Sequence, residues 1–521
     1  MRKLPIGIQS FEKIREDDFL YVDKTQYIYE LAKNNVPYFL SRPRRFGKSL
    51  LLSTMKAYWE GRVDLFKDLE IERLKKENNE SWEKYPVFYF DFNGKNYQKQ
   101  GALEEQIEGI LLTLEEQYGN QYQDRPLEER FSRLLELAFR LTGHRCVVLI
   151  DEYDKPLLDV IDNIELQQHN KDFFKGFFSV LKSKDSFIHF IFITGVTKFH
   201  KVSIFSDLNQ LVDISLHRDY SGICGITEDE LKLYFLTAVK ELAEIQGISV
   251  DECYATIKKN YDGYHFHQNG LDIYNPYSIL NCFFSKEFGS YWFETGSPSF
   301  LVSNIRKNNV DVRKFSDKTL YSSESSLKDY TGDSLDIIPL LYQTGYLTIA
   351  DYDSRLKRFT LAFPNDEVKY GFLESLMPVY TPVIKSANGL DIFSLNEYIE
   401  NGEIDNIKNV FIGLFASITY THENVLFEHY FQTVIFIVFT LLGKFVQCEI
   451  HTFSGRIDCI VEAEKYVYLF EFKRDKSASD AIEQIDSKEY TLPFVADNRK
   501  LFKIGVNFDS EKRIIDGWIV Q

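Results

Sequence analysis

The chain has 521 residues, 44% of them apolar, which excludes a disordered polar chain and supplies cores for roughly three or four domains. Its net charge of −17, from 61 basic and 78 acidic residues, excludes a general attraction to nucleic acid or an anionic membrane. Any polyanion contact must come from local patches, such as Arg42, Arg44, Arg45 and Lys48. The six cysteines are scattered without a Cys-x-x-Cys pair, which reads as buried thiols in a reducing compartment. The first residues lack the apolar core of a signal peptide, and the run Val434 to Leu442 is too short to span a bilayer. The expectation is a soluble cytoplasmic protein with no membrane partner.

In chain order, residues 1–35 carry Phe19-Leu20-Tyr21-Val22-Asp23-Lys24-Thr25 and a helical pattern at Tyr27, Ile28 and Leu31. This lead-in reads equally as one wall of a base pocket or as a packing arm. The apolar strand Val36 to Leu40 then meets Ser41-Arg42-Pro43-Arg44-Arg45-Phe46-Gly47-Lys48-Ser49 and a helix-like run from Leu50. Strand, Gly-Lys-Ser turn and helix are the context of a phosphate-binding loop. Backbone N–H groups over Arg45, Phe46, Gly47, Lys48, Ser49 and Leu50 would face phosphate oxygens at a helix N-terminus. Lys48 would reach the outer phosphates, and the Ser49 hydroxyl would ligate Mg²⁺. Arg42 stands where the usual pattern has its first glycine, so the stretch alone also reads as a helix start with an incidental Gly-Lys-Ser.

Helical periodicity covers 49–80, Pro86 to Phe92 is a strand, and 101–118 and 127–142 are amphipathic helices. Cys146-Val147-Val148-Leu149-Ile150 is the continuous apolar run of a doubly buried parallel strand, and it ends in Asp151-Glu152-Tyr153-Asp154. Here Asp151 would hold the magnesium shell and Glu152 would polarise the attacking water. An acidic cap on a buried strand is the alternative. A helical stretch near 165–183 follows, then the strand Phe190 to Ile193, whose Thr194 is either a sensor of the γ-phosphate or an ordinary strand-end hydroxyl. Strands alternating with helices predict a three-layer α/β domain with a parallel sheet, its ligand beyond the C-terminal strand ends.

From about 220 the texture turns helical. Thr227-Glu228-Asp229-Glu230 predicts a capping box. The aromatics of Tyr261 to Phe266 and Tyr274 to Ser278 read as core, with stacking on bases as the alternative. Leu340 to Ile349 and Phe359 to Asn365 predict a helix and hairpin, either a winged-helix wing or a packing module. Residues 384–408 read as a linker containing a helix. Residues 422–442 form a long apolar helix with Glu428 as the acid of its first half. Strands then follow over 445–452, 456–461 and 466–473, and a helix over about 478–490 carries Gln484 and Tyr490. This order of helix, three strands, helix and strand is that of a nuclease-like α/β core.

Period-2 geometry puts Glu471 and Lys473 on one strand face and Phe470 and Phe472 on the other, and Arg456 shares a face with Asp458. If the strands are neighbours, Asp458, Glu471 and Lys473 converge. Paired carboxylates suit Mg²⁺ or Mn²⁺, and the lysine would orient the attacking water. A solvated Glu–Lys pair is the alternative. From residue 411 onward there are 12 basic and 16 acidic side chains, which argues against a broad nucleic-acid surface.

The whole chain resembles a bacterial family in which an AAA-like ATPase domain precedes a PD-(D/E)XK nuclease-superfamily domain. The resemblance is carried by Pro5 to Phe11, Tyr21 to Thr25, Arg42 to Ser49, Asp151 to Asp154, Tyr261 to Tyr264, Gly455 to Asp458 and Glu471 to Lys473. In that family Arg-Pro-Arg-Arg-Phe-Gly-Lys-Ser stands for the usual glycine-rich loop. The resemblance implies Lys48, Ser49, Asp151 and Glu152 as ATPase residues. It implies Glu428, Asp458, Glu471 and Lys473 as the nuclease set, with Gln484 as an accessory. It further implies a P-loop NTPase domain over 1–220, a helical lid and winged-helix-like region over 221–385, and a restriction-endonuclease-like domain over 386–521. ATP and Mg²⁺ or Mn²⁺ are the expected cofactors, and DNA or RNA the expected substrate. A homo-oligomer is compatible with this reading, with Arg218 either a trans-acting arginine or an ordinary salt-bridge partner. The rival function is a nucleotide-switched signalling or assembly ATPase whose C-terminal domain binds without cleaving.

Overall fold

The computed structural model describes the chain apart from residues 1, 120–121, 199–203, 209, 296–300, 303–304, 306–309, 317–319, 329–336, 381–391, 417–423, 444–446, 451–457 and 513. The side chains of 295, 316, 328, 378–380, 393, 416, 424–432 and 447–450 are likewise outside the description. Two compact units result, one of Met1–Thr295 with Asp317–Glu367, the other of Gly296–Ser316 with Val368–Gln521.

The first unit is built on a five-stranded parallel sheet of β1 (Tyr38–Ser41), β2 (Val87–Asp91), β3 (Cys146–Asp151), β4 (Ile188–Gly195) and β5 (Val212–Asp213). Their order is β2-β3-β4-β1-β5, so β4 lies between the phosphate-loop strand and the Asp151 strand. β1 and β3 are buried along their whole length, as strands covered on both faces require. The two faces have separate cover. Phe88 and Phe90 meet Tyr118, Phe131 and Phe177 from the helices Ala102–Tyr118, Leu127–Thr142 and Ile164–Phe178. Phe190 pairs with Val147 on the opposite face, and there Trp59 of the helix Lys48–Trp59 packs on it. Asp151 has the parity of Val147 and so falls on the phosphate-loop helix side. The helical stretch expected over 49–80 is broken into Lys48–Trp59, a short 3-10 turn at Val63–Phe66, and Glu70–Glu77.

The rest of this unit adds two small antiparallel sheets. One pairs β6 (Ile226–Thr227) and β7 (Tyr264–His265) with β8 (Asp272–Tyr274). The other joins β9 (Leu320–Ser323) to the hairpin of β10 (Thr348–Asp353) and β11 (Arg358–Ala362), preceded by the helix Ile338–Gln343. The capping box at Thr227 and Glu230 is formed, opening the helix Glu228–Gln246. Tyr261, Tyr264 and Tyr274 are fully buried, so these aromatics are core and do not offer faces to bases.

The second unit holds a mixed sheet in the order β12 (Gln447–Ile450), β13 (Cys459–Glu462), β14 (Tyr466–Arg474), β15 (Lys500–Asp509) and β16 (Ile514–Val520), with β14 and β15 parallel. β16 is one strand more than expected. It reads poorly from sequence because it has no fully buried residue: Ile514 and Asp516 are exposed, and Ile515 and Gly517 to Val520 are half-covered. The stretch 384–408, expected as a linker with a helix in it, holds one whole helix and the start of a second. Residues 381–391 lie outside the description, but Ile392–Asn401 and Ile404–Ala416 are helices of this unit, with Leu395, Ile399, Ile407 and Phe411 buried. Phe411 and Phe439 pack on Phe470, one face of β14. On the other face Ile482 and Ile485 of the helix Ala478–Ser487 cover Val467 and Leu469.

Gly505, opposite Glu471 in the β14–β15 register, lets that helix seat on the sheet. A Cβ there would lie 2.4 Å from the Ala478 carbonyl oxygen. Gly505→Ala is therefore expected to destabilise this unit by about 1–3 kcal/mol, seen as a lower urea midpoint. An unchanged midpoint would show that the helix seat tolerates displacement.

Candidate functional site

The phosphate loop leaves β1 and turns through two left-handed residues, Arg45 (φ 66°) and Gly47 (φ 94°), before the helix starts at Lys48. The glycine adopts that conformation without penalty, whereas the arginine stores strain. Arg42 is not part of a surface patch. It is 1% exposed, donates to the carbonyls of Ser41, Ser215 and Tyr220, and stacks 4.0 Å from the Phe266 ring. The residue in place of the first glycine is thus a buried staple that fixes the loop's root. Phe46 is also core, packed edge-on against Tyr264 and Phe266.

A cavity of about 460 Å³ opens on this loop. Arg44, Arg45, Gly47, Lys48, Ser49 and Leu50 line one side, and Glu152, Asp154, Lys155 and Asn93 another. Pro5, Gly7, Ile8 and Gln9 of the lead-in, with Pro276 and Tyr277, complete the wall. Arg45 is held over the Tyr277 ring at 4.7 Å. Lys48 donates to the carbonyls of Arg42 (3.0 Å) and Pro43 (3.1 Å). An apolar side pocket of about 100 Å³ adjoins, lined by Leu20, Tyr21, Val22, Leu51, Cys224 and Ile226 and sharing Pro5, Gly47, Leu50, Pro276 and Leu280 with the cavity.

Asp151 and Thr194 come together, but neither lines the cavity. Both are fully buried, and Thr194 Oγ1 donates to Asp151 Oδ1 at 2.6 Å. Glu152 does line it, in a left-handed conformation (φ 51°). Burial raises the Glu152 carboxyl above the ordinary range, and the charge of Lys48 opposes that rise. Asp154 accepts from the Val196 and Thr197 backbone N–H groups and the Thr197 hydroxyl, which fixes the segment after β4. No motif spacing marks Lys155 and Asn93 as lining residues, and Tyr277, in a stretch whose aromatics read as core, lines the cavity instead. Arg218 stands exposed in the turn Arg218–Tyr220.

The second site is at the start of β13. Cys459 pairs with Phe470, so Asp458 continues the antiparallel register onto Glu471. Asp458 Oδ2 accepts from the Phe472 N–H at 2.8 Å. Lys473 Nζ donates to Glu471 Oε1 at 2.8 Å and to Gln484 Oε1 at 2.6 Å. Asp458, Glu471, Lys473 and Gln484 therefore meet, as expected. Burial, then the charge of Glu471, pushes Asp458 up to about 7. Burial raises Glu471 as well, against the pull of Lys473. Glu471 is 1% exposed, and its buried Oε2 has no hydrogen-bond partner among the described residues. Two hard oxygen donors with one unsatisfied oxygen are a donor set that fits Mg²⁺ or Mn²⁺. Glu428 lies on the helix Asn424–Leu442, but its side chain is outside the described residues, as is Arg456. Among the described residues no three His, Cys, Asp or Glu side chains gather as a metal cluster. The five described cysteines are buried, and no described helix is long and apolar enough to cross a membrane.

Fold and motifs define a nucleotide-binding ATPase-like domain followed by a nuclease-like one, and the comparisons agree. Residues 5–205 match the family described as "Predicted AAA-ATPase", and residues 426–518 match the PD-(D/E)XK nuclease superfamily. A protein of Azotobacter chroococcum mcd 1, described as "Uncharacterized protein in vnfD 5'region", is 34% identical over 537 residues, covering 100% of this chain and 99% of that one. The chain belongs to the same family as that protein, in which an AAA-ATPase-like domain precedes a PD-(D/E)XK nuclease-superfamily domain.

Because the folded Asp458 holds its proton to about pH 7 against an ordinary 3.8, the folded state binds more protons than the unfolded one between those values. Stability from this group is therefore greatest at low pH and falls as pH rises through that window. Asp458→Asn is expected to stabilise the metal-free protein more at pH 8 than at pH 5, measured by urea unfolding. An equal effect at both values would contradict the shift.

Proposed function

We propose that the protein binds and hydrolyses ATP with Mg²⁺ in its first domain and cleaves nucleic-acid phosphodiesters with Mg²⁺ or Mn²⁺ in its last. The observation that carries the second half is the meeting of Asp458, Glu471, Lys473 and Gln484 at one place. We assign residues 1–220 to the ATPase, 221–385 to a lid and winged-helix-like region, and 386–521 to the nuclease, and we place its work in the cytoplasm.

In the ATPase, the loop N–H groups from Arg45 to Leu50 hold the phosphates and Lys48 neutralises their outer charge. The apolar side pocket receives the base between the lead-in and the helix Pro276–Ser285. Ser49 would ligate Mg²⁺. Asp151, buried beneath the cavity, would hold the ion's outer shell, with Thr194 fixing its carboxylate. Glu152, in the wall, polarises the attacking water. Its raised affinity for a proton suits it to that task.

In the nuclease, Asp458, Glu471 and Glu428 would hold the ion. A bound divalent ion supplies positive charge to the phosphate under attack and acidifies a water. Lys473, braced by Glu471 and Gln484, orients the attacking water and stabilises charge growing on the phosphate. Asp458 must lose its proton before it can ligate, so cleavage should weaken as pH falls below about 7.

Lys48→Ala should weaken ATP binding by roughly 100-fold or more, and Glu152→Gln should keep binding while slowing phosphate release by about 100-fold. Calorimetry and steady-state phosphate assays test both. Asp458→Ala and Lys473→Ala should each lower cleavage of DNA or RNA by at least about 100-fold with Mn²⁺ present. Variants that cut as well as the parent would leave the non-cleaving module as the function of the last domain.

A further inference from the structure

The phosphate loop is gripped from two directions. Lys48 holds its first half by the carbonyls of Arg42 and Pro43. The next carbonyl, that of Arg44, accepts from Trp292 Nε1 at 2.9 Å. Gly345 (φ 91°) makes room for Pro43, because a Cβ there would lie 2.7 Å from Pro43 Cβ. Trp292 packs on Tyr346, directly after that glycine. Gln343 Oε1 in the same turn accepts from the Lys198 N–H, beyond the end of β4.

Behind Trp292 stands one buried carboxylate. Glu367 Oε1 accepts from the Tyr291 and Trp292 N–H groups at 2.6 and 2.7 Å. Its Oε2 accepts from Ser278 Oγ at 2.7 Å. Ser278 lies in the helix Pro276–Ser285, whose Pro276, Tyr277 and Leu280 wall the cavity. Glu367 thus joins the loop and the base-side helix to the first turn of the helix Asp366–Tyr380. The first unit ends at Glu367, and Val368 begins the second.

An ammonium has three donors, and two of those on Lys48 are already placed on loop carbonyls. Bonding two phosphate oxygens releases at least one carbonyl and frees that half of the loop. The Gly345 contact bears on Pro43, which Lys48 also holds, and Trp292 holds the next residue, Arg44, so both meet the change directly.

We propose that Trp292 and Glu367 are positioning residues that carry the nucleotide state of the phosphate loop into the helix Asp366–Tyr380. This rests on the ATP reading above. Glu367→Gln keeps the shape but weakens the acceptor shared by three donors, and Trp292→Phe keeps an aromatic ring but removes the donor to Arg44.

The test is amide hydrogen exchange over residues 368–377 of the full chain, with and without ATPγS and Mg²⁺, beside the ATPγS affinity of each protein. The parent should show a nucleotide-dependent change of about tenfold in exchange there. Both variants should bind ATPγS within about threefold of the parent and lose that change. A purely structural role would shift exchange in both states alike and leave the nucleotide-dependent difference intact. Retention of the difference in both variants overturns the proposal, as does a parent that binds ATPγS without any change over 368–377. A parent that fails to bind ATPγS overturns the ATP reading itself, and the relay with it.

Discussion

The hydrogen bond from Thr194 to Asp151 joins the ends of two adjacent strands and sets the geometry of the whole first site. It exists because β4 is inserted between β1 and β3, which spaces the phosphate loop one strand away from the carboxylate. A fully buried carboxylate without a donor would be costly, and here the neighbouring strands supply two, the Thr194 hydroxyl to Oδ1 and the Tyr89 hydroxyl to Oδ2. Asp151 in turn ends β3, and the chain reverses through the strained Glu152 into the cavity wall. The strand order therefore brings one acid under the cavity and the next into it.

The second site solves the same problem with less. Two carboxylates come together where Asp458, just before β13, continues the antiparallel register onto Glu471 of β14. Lys473 and the backbone N–H groups of Phe472 and Asp458 compensate them, and among the described residues Glu471 keeps an unsatisfied buried oxygen. Burial, and after it the like charge of Glu471, raises Asp458 toward neutrality. A stability-driven design would not retain such a pair. A site that admits a divalent cation would.

Much of this was legible in the chain, and the reasons differ by element. Cys146 to Asp151 could be placed because an apolar run of five ending in an acid needs two covered faces. Asp458, Glu471 and Lys473 could be brought together because a strand has period two, so adjacency alone fixes convergence. What the sequence did not disclose were the tertiary choices. Arg42 looked like a surface cation, yet its role depends on the carbonyls of Ser215 and Tyr220, more than 170 residues away. One helix was expected in the linker-like stretch 384–408, but its packing in the second unit and the helix after it were not. β16 hid because an edge strand lacks a full apolar stripe. Trp292 and Glu367 carry no motif, and only their hydrogen bonds reveal them.

The account stands on two separate places where a divalent ion meets phosphate chemistry. The most direct measurement is anomalous diffraction from crystals of the full chain grown with Mn²⁺ and ATPγS. The account predicts one manganese beside Ser49 and the nucleotide phosphates, and another between Asp458 and Glu471. Manganese absent from the Asp458–Glu471 pair, or nucleotide bound away from Lys48, would contradict it.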